Sequence, residues 1–127
     1  LDRGHLVPAG DFKNDQQAMN ETFLMSNISP QTPSFNRGVW RSLEERIRKI
    51  VDRSLSVSVA TGPLFLPVNN IVSYRVIGEG AVAVPTHFFK VVLIKETNGT
   101  SSKARSFMDY TYQKRFFFAP LGKSWIR

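Results

Sequence analysis

The first 44 residues place a candidate base, a phosphate-binding cation and a metal-ligand amide in one short ordered stretch: Asp2-Arg3-Gly4-His5, then Ser26-Asn27-Ile28-Ser29-Pro30-Gln31, then Asn36-Arg37-Gly38-Val39-Trp40 and Leu43-Glu44. His5, as a neutral imidazole, can take a proton from water near neutral pH; the competing reading is a hydrogen-bonded structural histidine. Asn36 offers an amide oxygen to a hard cation such as Mg²⁺, which keeps most of its own waters. The same side chain is also placed to cap a helix. Glu44 lies eight residues later, about 12 Å along a helix axis. That suits holding water around a cation, or a surface ion pair with Arg48. Arg3 and Arg48 carry fixed forks of donors that match a phosphate. Asp2 reads as a structural acceptor, and Gly4 and Gly38 as points of close backbone approach.

The elements that must position these groups can be read from periodicity. Residues 1–33 alternate short apolar runs with Pro8, Gly10, Pro30 and Pro33, which predicts short strands and loops, with a helical turn near Gln16 to Glu21 and a strand over Thr22 to Ser26. Val39, Trp40, Leu43, Ile47, Ile50 and Val51 then recur at helical spacing, predicting an amphipathic helix over 38–53 with Ser34 or Asn36 as its cap. Glu44-Arg48 and Glu45-Lys49 are i,i+4 pairs of favourable orientation. Val57 to Thr61, ended by Gly62-Pro63, and then Ile71 to Ile77 and Phe88 to Ile94 read as strands, with turns at Asn69-Asn70 and Gly78-Glu79-Gly80. The fold class expected is α+β around a mainly antiparallel sheet.

With 127 residues and no cysteine, the chain fits one domain with a real core and has neither disulfides nor thiolate metal sites. No apolar run is long enough for a membrane span. The net charge of +7 suits a polyanion partner, but it is unevenly spread. Residues 99–127 hold six Lys/Arg against one Asp/Glu, whereas residues 1–53 hold eight against seven. The domain reading is a core over 1–98 and a basic, aromatic tail over 99–127, in which Phe107, Tyr110 and Phe116 to Phe118 form a last strand pair or a loose extension. His87 has no carboxylate spaced to orient it and reads as structural.

The ordered blocks quoted above, together with Thr61 to Pro67 and Ala83 to Lys90, resemble the DNA/RNA non-specific endonucleases, most nearly the branch of mitochondrial endonuclease G, over about residues 1–96. The resemblance implies a ββα-metal finger within residues 1–53. It also implies metal-dependent hydrolysis of DNA and RNA with little sequence selectivity, leaving 5′-phosphate and 3′-hydroxyl ends. In that reading His5 is the general base, Asn36 holds one Mg²⁺ (Mn²⁺ as the alternative), and Arg3 and Arg48 bind phosphate. Glu44 holds water, and Asn27 and Gln31 orient the base or the water. A homodimer and a mitochondrial location are implied as well. The pattern departs from the family at both ends: only Leu1 precedes the motif, so no targeting segment and no upstream arginine is seen, and nothing after Glu96 is recognised. The fold is therefore expected to be truncated at both ends. The alternative is a catalytically weak or inactive fragment that binds nucleic acid or pairs with an intact subunit.

Overall fold

The computed structural model describes residues 1–95 in full and the strand backbones of residues 102–110 and 116–120. The chain opens with β1 (Asp2–His5), antiparallel to β2 (Ile28–Gln31), with Gly4 opposite Ser29 and His5 opposite Ile28. Gly4 is required by a close approach, because a Cβ there would fall 2.2 Å from Cδ of the buried Gln31. Gly38 is not constrained in this way: nothing lies within 4 Å of where its Cβ would be.

Between β1 and β2, the short helix α1 (Gln16–Glu21) is capped by Asp15, which accepts from the Ala18 amide at 3.0 Å. The strand expected over Thr22 to Ser26 does not form. The run turns through a 3₁₀ segment (Met25–Asn27) and leaves Phe23, Leu24 and Met25 exposed. The cause is local: Asn27 Nδ2 donates to the Thr22 carbonyl at 2.8 Å, so a side chain takes an acceptor that a strand ladder would need.

The expected long helix begins earlier and in two parts. A π-helical turn (Phe35–Trp40) runs directly into α2 (Arg41–Val51). Ser34 is itself helical and makes no capping bond, and the Asn36 side chain is committed elsewhere, so neither residue acts as the expected cap. Instead the Asn36 backbone N–H donates to the Thr32 carbonyl at 2.9 Å. Trp40, Leu43 and Ile47 line one side of the helix and pack on Phe88, Val92 and Ile94, with Phe35 among them. The Phe35, Trp40 and Phe88 rings are 5.4 to 5.5 Å apart. At about 1.5–3 kcal/mol per fully buried large apolar side chain, this cluster fastens the helix to the sheet.

That sheet runs in the order β3 (Ser56–Leu64), β6 (His87–Lys95), β7 (Ser102–Tyr110), β8 (Phe116–Pro120), all antiparallel. Gly62-Pro63 does not end β3 as expected; pairing continues through Gly62 opposite Phe89 and Pro63 opposite Phe88. An edge strand needs partners on one side only, which is where proline is tolerated. Beyond Glu96 the backbone adds β7 and β8 to the sheet, so Phe107, Tyr110 and Phe116 to Phe118 fall in a final strand pair. The basic side chains of that segment lie outside the described residues. The strand expected over Ile71 to Ile77 shrinks to β4 (Arg75–Ile77), which forms a small hairpin with β5 (Val82–Val84). Its turn uses Gly78 at φ +69°, a conformation glycine adopts without strain.

Candidate active site

The end of β1, the segment after it, the π turn and α2 surround an open cavity of about 240 Å³ lined by His5, Pro8, Ala9, Gly10, Asn36, Arg41, Glu44 and Arg48. Each wall has a separate cause. His5 ends β1, where Trp40 Nε1 donates to its carbonyl at 3.0 Å. Asn36 comes from the π turn, and Arg41, Glu44 and Arg48 share one face of α2 at spacings of three and four. The separation of eight positions between Asn36 and Glu44 therefore does not keep them apart: the π turn and α2 present both to the same space.

Asp2 fixes the Asn36 amide. Asn36 Nδ2 donates to Asp2 Oδ2 at 2.9 Å, while Arg37 donates to both oxygens of the same carboxylate, at 2.9 and 2.8 Å. These bonds, Arg37 first and Asn36 second, hold the Asp2 carboxyl below its usual range. Only an N–H can serve a carboxylate in this way, so the amide orientation is determined and Oδ1 is left as the acceptor. Asp2 is thus a structural acceptor.

His5 is half-buried, with its ring edge-on to Phe23 at 4.7 Å. Burial lowers its pKa, which favours the neutral imidazole near pH 7. Nε2 is buried with no partner among the described residues, which leaves Nδ1 as the nitrogen with access from outside. Burial pushes the Glu44 carboxyl up to about 7, against the opposing pull of Lys90 and Arg48. Arg48 donates to Asp11 at 2.6 Å and stands 4.0 Å from Glu44. Both side chains of the closer pair are 38% exposed, so the pair orients Arg48 more than it stabilises the fold. Glu45, expected to meet Lys49, pairs with Arg41 at 3.1 Å.

Of the residues singled out by sequence, the structure brings His5, Asn36, Glu44 and Arg48 together. Arg3 is exposed on β1, two residues from His5 and so on the same strand face. Asn27 and Gln31 do not line this cavity. The Asn27 amide bonds Val7 N at 2.9 Å and the Val7 and Thr22 carbonyls at 2.8 Å, so it acts on the backbone after His5. Gln31 is fully buried on the opposite strand face, without partners among the described residues for either amide atom. His87 is buried, beside Thr86 at 2.6 Å, away from the cavity. Sequence reasoning missed Arg41, Asp11 and Lys90. Arg41 was findable from its spacing of three to Glu44; the other two come from elements with no periodic relation to α2. Lys90 is buried, which lowers its pKa to about 8 while Glu44 holds it up.

A hard cation fits this site: one oriented amide oxygen on a roomy, polar cavity leaves the remaining positions to water, and the Glu44 carboxylate stands on the same cavity to hold that water. Among the described residues no three His, Cys, Asp or Glu side chains converge as a metal cluster, and none is long and apolar enough as a helix to cross a membrane.

Comparison with known proteins bears on the whole arrangement. The family model described as DNA/RNA non-specific endonuclease matches residues 1–122. The chain is 45% identical over 104 residues to a human protein named "Endonuclease G, mitochondrial", covering 78% of this chain and 35% of that one. It is 48% identical over 108 residues to "Nuclease 1, mitochondrial" of Schizosaccharomyces pombe, covering 80% of this chain and 34% of that one. A crystal structure of the EndoG/EndoGI complex superposes with a TM-score of 0.81 at 38% identity, covering 87% of this chain and 47% of that chain. The chain thus spans about a third of the length of the curated relatives it matches.

Proposed function

Because the chain belongs to the DNA/RNA non-specific endonuclease family, we propose that it hydrolyses phosphodiesters of DNA and RNA with a divalent cation, Mg²⁺ or in its place Mn²⁺, and with little sequence selectivity. The observation that carries this reading is the meeting of His5, Asn36, Glu44 and Arg48 on one open cavity. His5 Nδ1 accepts a proton from water, and the water oxygen forms a bond to phosphorus as the bond to the 3′ oxygen breaks, that oxygen taking a proton from a second water to leave as the 3′-hydroxyl. The imidazole is ready for this near neutral pH because burial keeps it neutral. Arg48, steadied by Asp11, and Arg3 on the His5 face hold the charge of the phosphate, and Arg41 adds a third guanidinium at the cavity wall. Asn36 would hold the cation through Oδ1, with Asp2 fixing the amide, and Glu44 would hold its waters. When bound, the cation supplies charge compensation at the phosphate and the departing oxygen. These contacts reach phosphate rather than base edges, which supports low selectivity. Asn27 takes part by fixing the backbone after His5, and Gln31 by packing over Gly4.

A mitochondrial location follows from the names of the relatives, and pairing as a homodimer remains part of the same family reading. The test is supercoiled-plasmid cleavage by the purified chain with Mg²⁺ or with EDTA, alongside Asn36→Ala. Cleavage that requires the metal and falls about a hundredfold in the variant is expected. A folded chain that retards DNA without nicking it would make it a binding module instead.

A further inference from the structure

Lys90 lies in the middle of β6 between Phe88 and Val92, on the face that packs against α2, and is only 2% exposed. An ammonium is costly to bury, and an apolar side chain of similar volume would fill the same space at no such cost. The charge therefore calls for a reason. Nζ donates to the Leu6 carbonyl at 2.7 Å and to Thr61 Oγ1 at 3.3 Å, and stands 4.3 Å over the Trp40 ring. Trp40 itself donates to the His5 carbonyl at 3.0 Å. Asn27 brackets the next residue, Val7, through both its N–H and its carbonyl. Three consecutive residues beginning at His5 are thus each gripped by a side chain from a different part of the fold.

We infer that Lys90 is a positioning residue for His5, its ammonium anchoring the backbone just beyond the imidazole to an interior strand of the sheet. The inference rests on the reading of His5 as the base. Lys90 lines a second cavity, of about 230 Å³, with Glu44 and Asp11 among its walls. Those carboxylates support the charged form of the amine. Against a base held by one strand of a two-stranded ribbon, this anchor supplies what a short ribbon lacks: a rigid reference outside itself.

The test uses the metal-free chain labelled at histidine nitrogen, with His5 and His87 titrated by NMR and amide hydrogen exchange followed at Leu6 and Val7. Lys90→Met, which keeps the volume and removes the donor, is expected to raise the His5 pKa by roughly half a unit or more as the ring gains solvent. Exchange at Leu6 and Val7 should quicken by about tenfold or more, with His87 unchanged. Lys90→Gln keeps an N–H donor on a shorter, neutral side chain and is expected to move His5 measurably but less than Lys90→Met does. Wild-type behaviour of His5 in both folded variants overturns the inference. So do equal shifts in the two, which would mean a field effect of the lost charge. If Lys90→Met does not melt cooperatively, Lys90→Gln decides alone, and a His5 titration unchanged in it overturns the anchor. None of these readouts uses nucleic acid, so absent cleavage by the wild-type chain counts against the proposed activity while the titration still judges the anchor.

Discussion

The β1–β2–α2 unit and the segment from Phe65 to Thr86 are built on opposite terms. In the first, polar side chains reach far along the chain to hold backbone, Trp40 to His5, Asn27 to Val7 and Lys90 to Leu6, and Asp2 holds the side chains of Asn36 and Arg37 from the π turn. In the second, the Thr86 hydroxyl closes the two ends by accepting from Leu66 N at 3.0 Å, but between them bonds are short in sequence, such as the reciprocal Val68 and Ile71 pair, and most apolar groups stay in water. Val68 is 72% and Ile71 68% exposed, and Val72, Tyr74, Val76 and Val82 are also exposed. The difference separates two uses of sequence. One region fixes the place of a few atoms, and the other carries apolar surface that the described residues do not cover.

The comparison breaks most completely at Trp40, which serves both packing and positioning. Trp40→Ala is expected to cost about 3–5 kcal/mol, seen as loss of a cooperative melt together with any cleavage; a stable, active variant would show that the ring cluster is not what seats the site. His5→Ala should instead leave the thermal midpoint close to wild type while plasmid nicking falls by about 10²–10⁴-fold. Equal activity would remove the base from the mechanism.

Glu44 sharpens the contrast through pH. Its carboxyl titrates near 7 when folded, against an ordinary 4.5. Between those values the folded chain keeps a proton that the unfolded chain has lost. The stability tied to the protonated form is therefore full below about 4.5 and falls as pH rises through 7. For metal-free protein this amounts to a decline on the order of 1–3 kcal/mol, which Glu44→Gln should flatten. An identical slope in the variant would place the titration elsewhere. Lys90 runs the other way, its neutral form favouring the fold above about 10.5 and that benefit fading as pH falls through 8. The smallest effect is expected in the second region: Tyr74→Ser should change stability by no more than about 0.5 kcal/mol and leave cleavage unaltered. A larger loss would mean that its ring contact with Phe65, at 5.0 Å, supports the fold.

Periodicity made the helix–sheet core legible, since Trp40, Leu43 and Ile47 stand at helical spacing and Phe88, Val92 and Ile94 alternate along a strand. The same signal misread Thr22 to Ser26 as a strand, because apolar content says nothing of a side-chain amide competing for the Thr22 carbonyl. The π turn left no mark either: widening one turn barely alters which residues are apolar, yet it delivers Asn36 to the same cavity as Glu44. His5, Asn36, Glu44 and Arg48 were legible through ordered motifs, whereas Lys90, inside the strand expected over Phe88 to Ile94, carried no site reading of its own. Its partner lies 84 positions away, beyond the reach of any local pattern.

That separation also sets an order of events. Closing so long a loop costs entropy before any contact repays it, so the carbonyl after His5 is secured only when β6 has docked. A chain synthesised from its N-terminus displays the Asp-Arg-Gly-His motif long before Lys90 exists. Until then the segment from His5 to Val7 has only its short ribbon, Trp40 and Asn27 to hold it, and an interrupted translation product releases the motif without its anchor in the sheet.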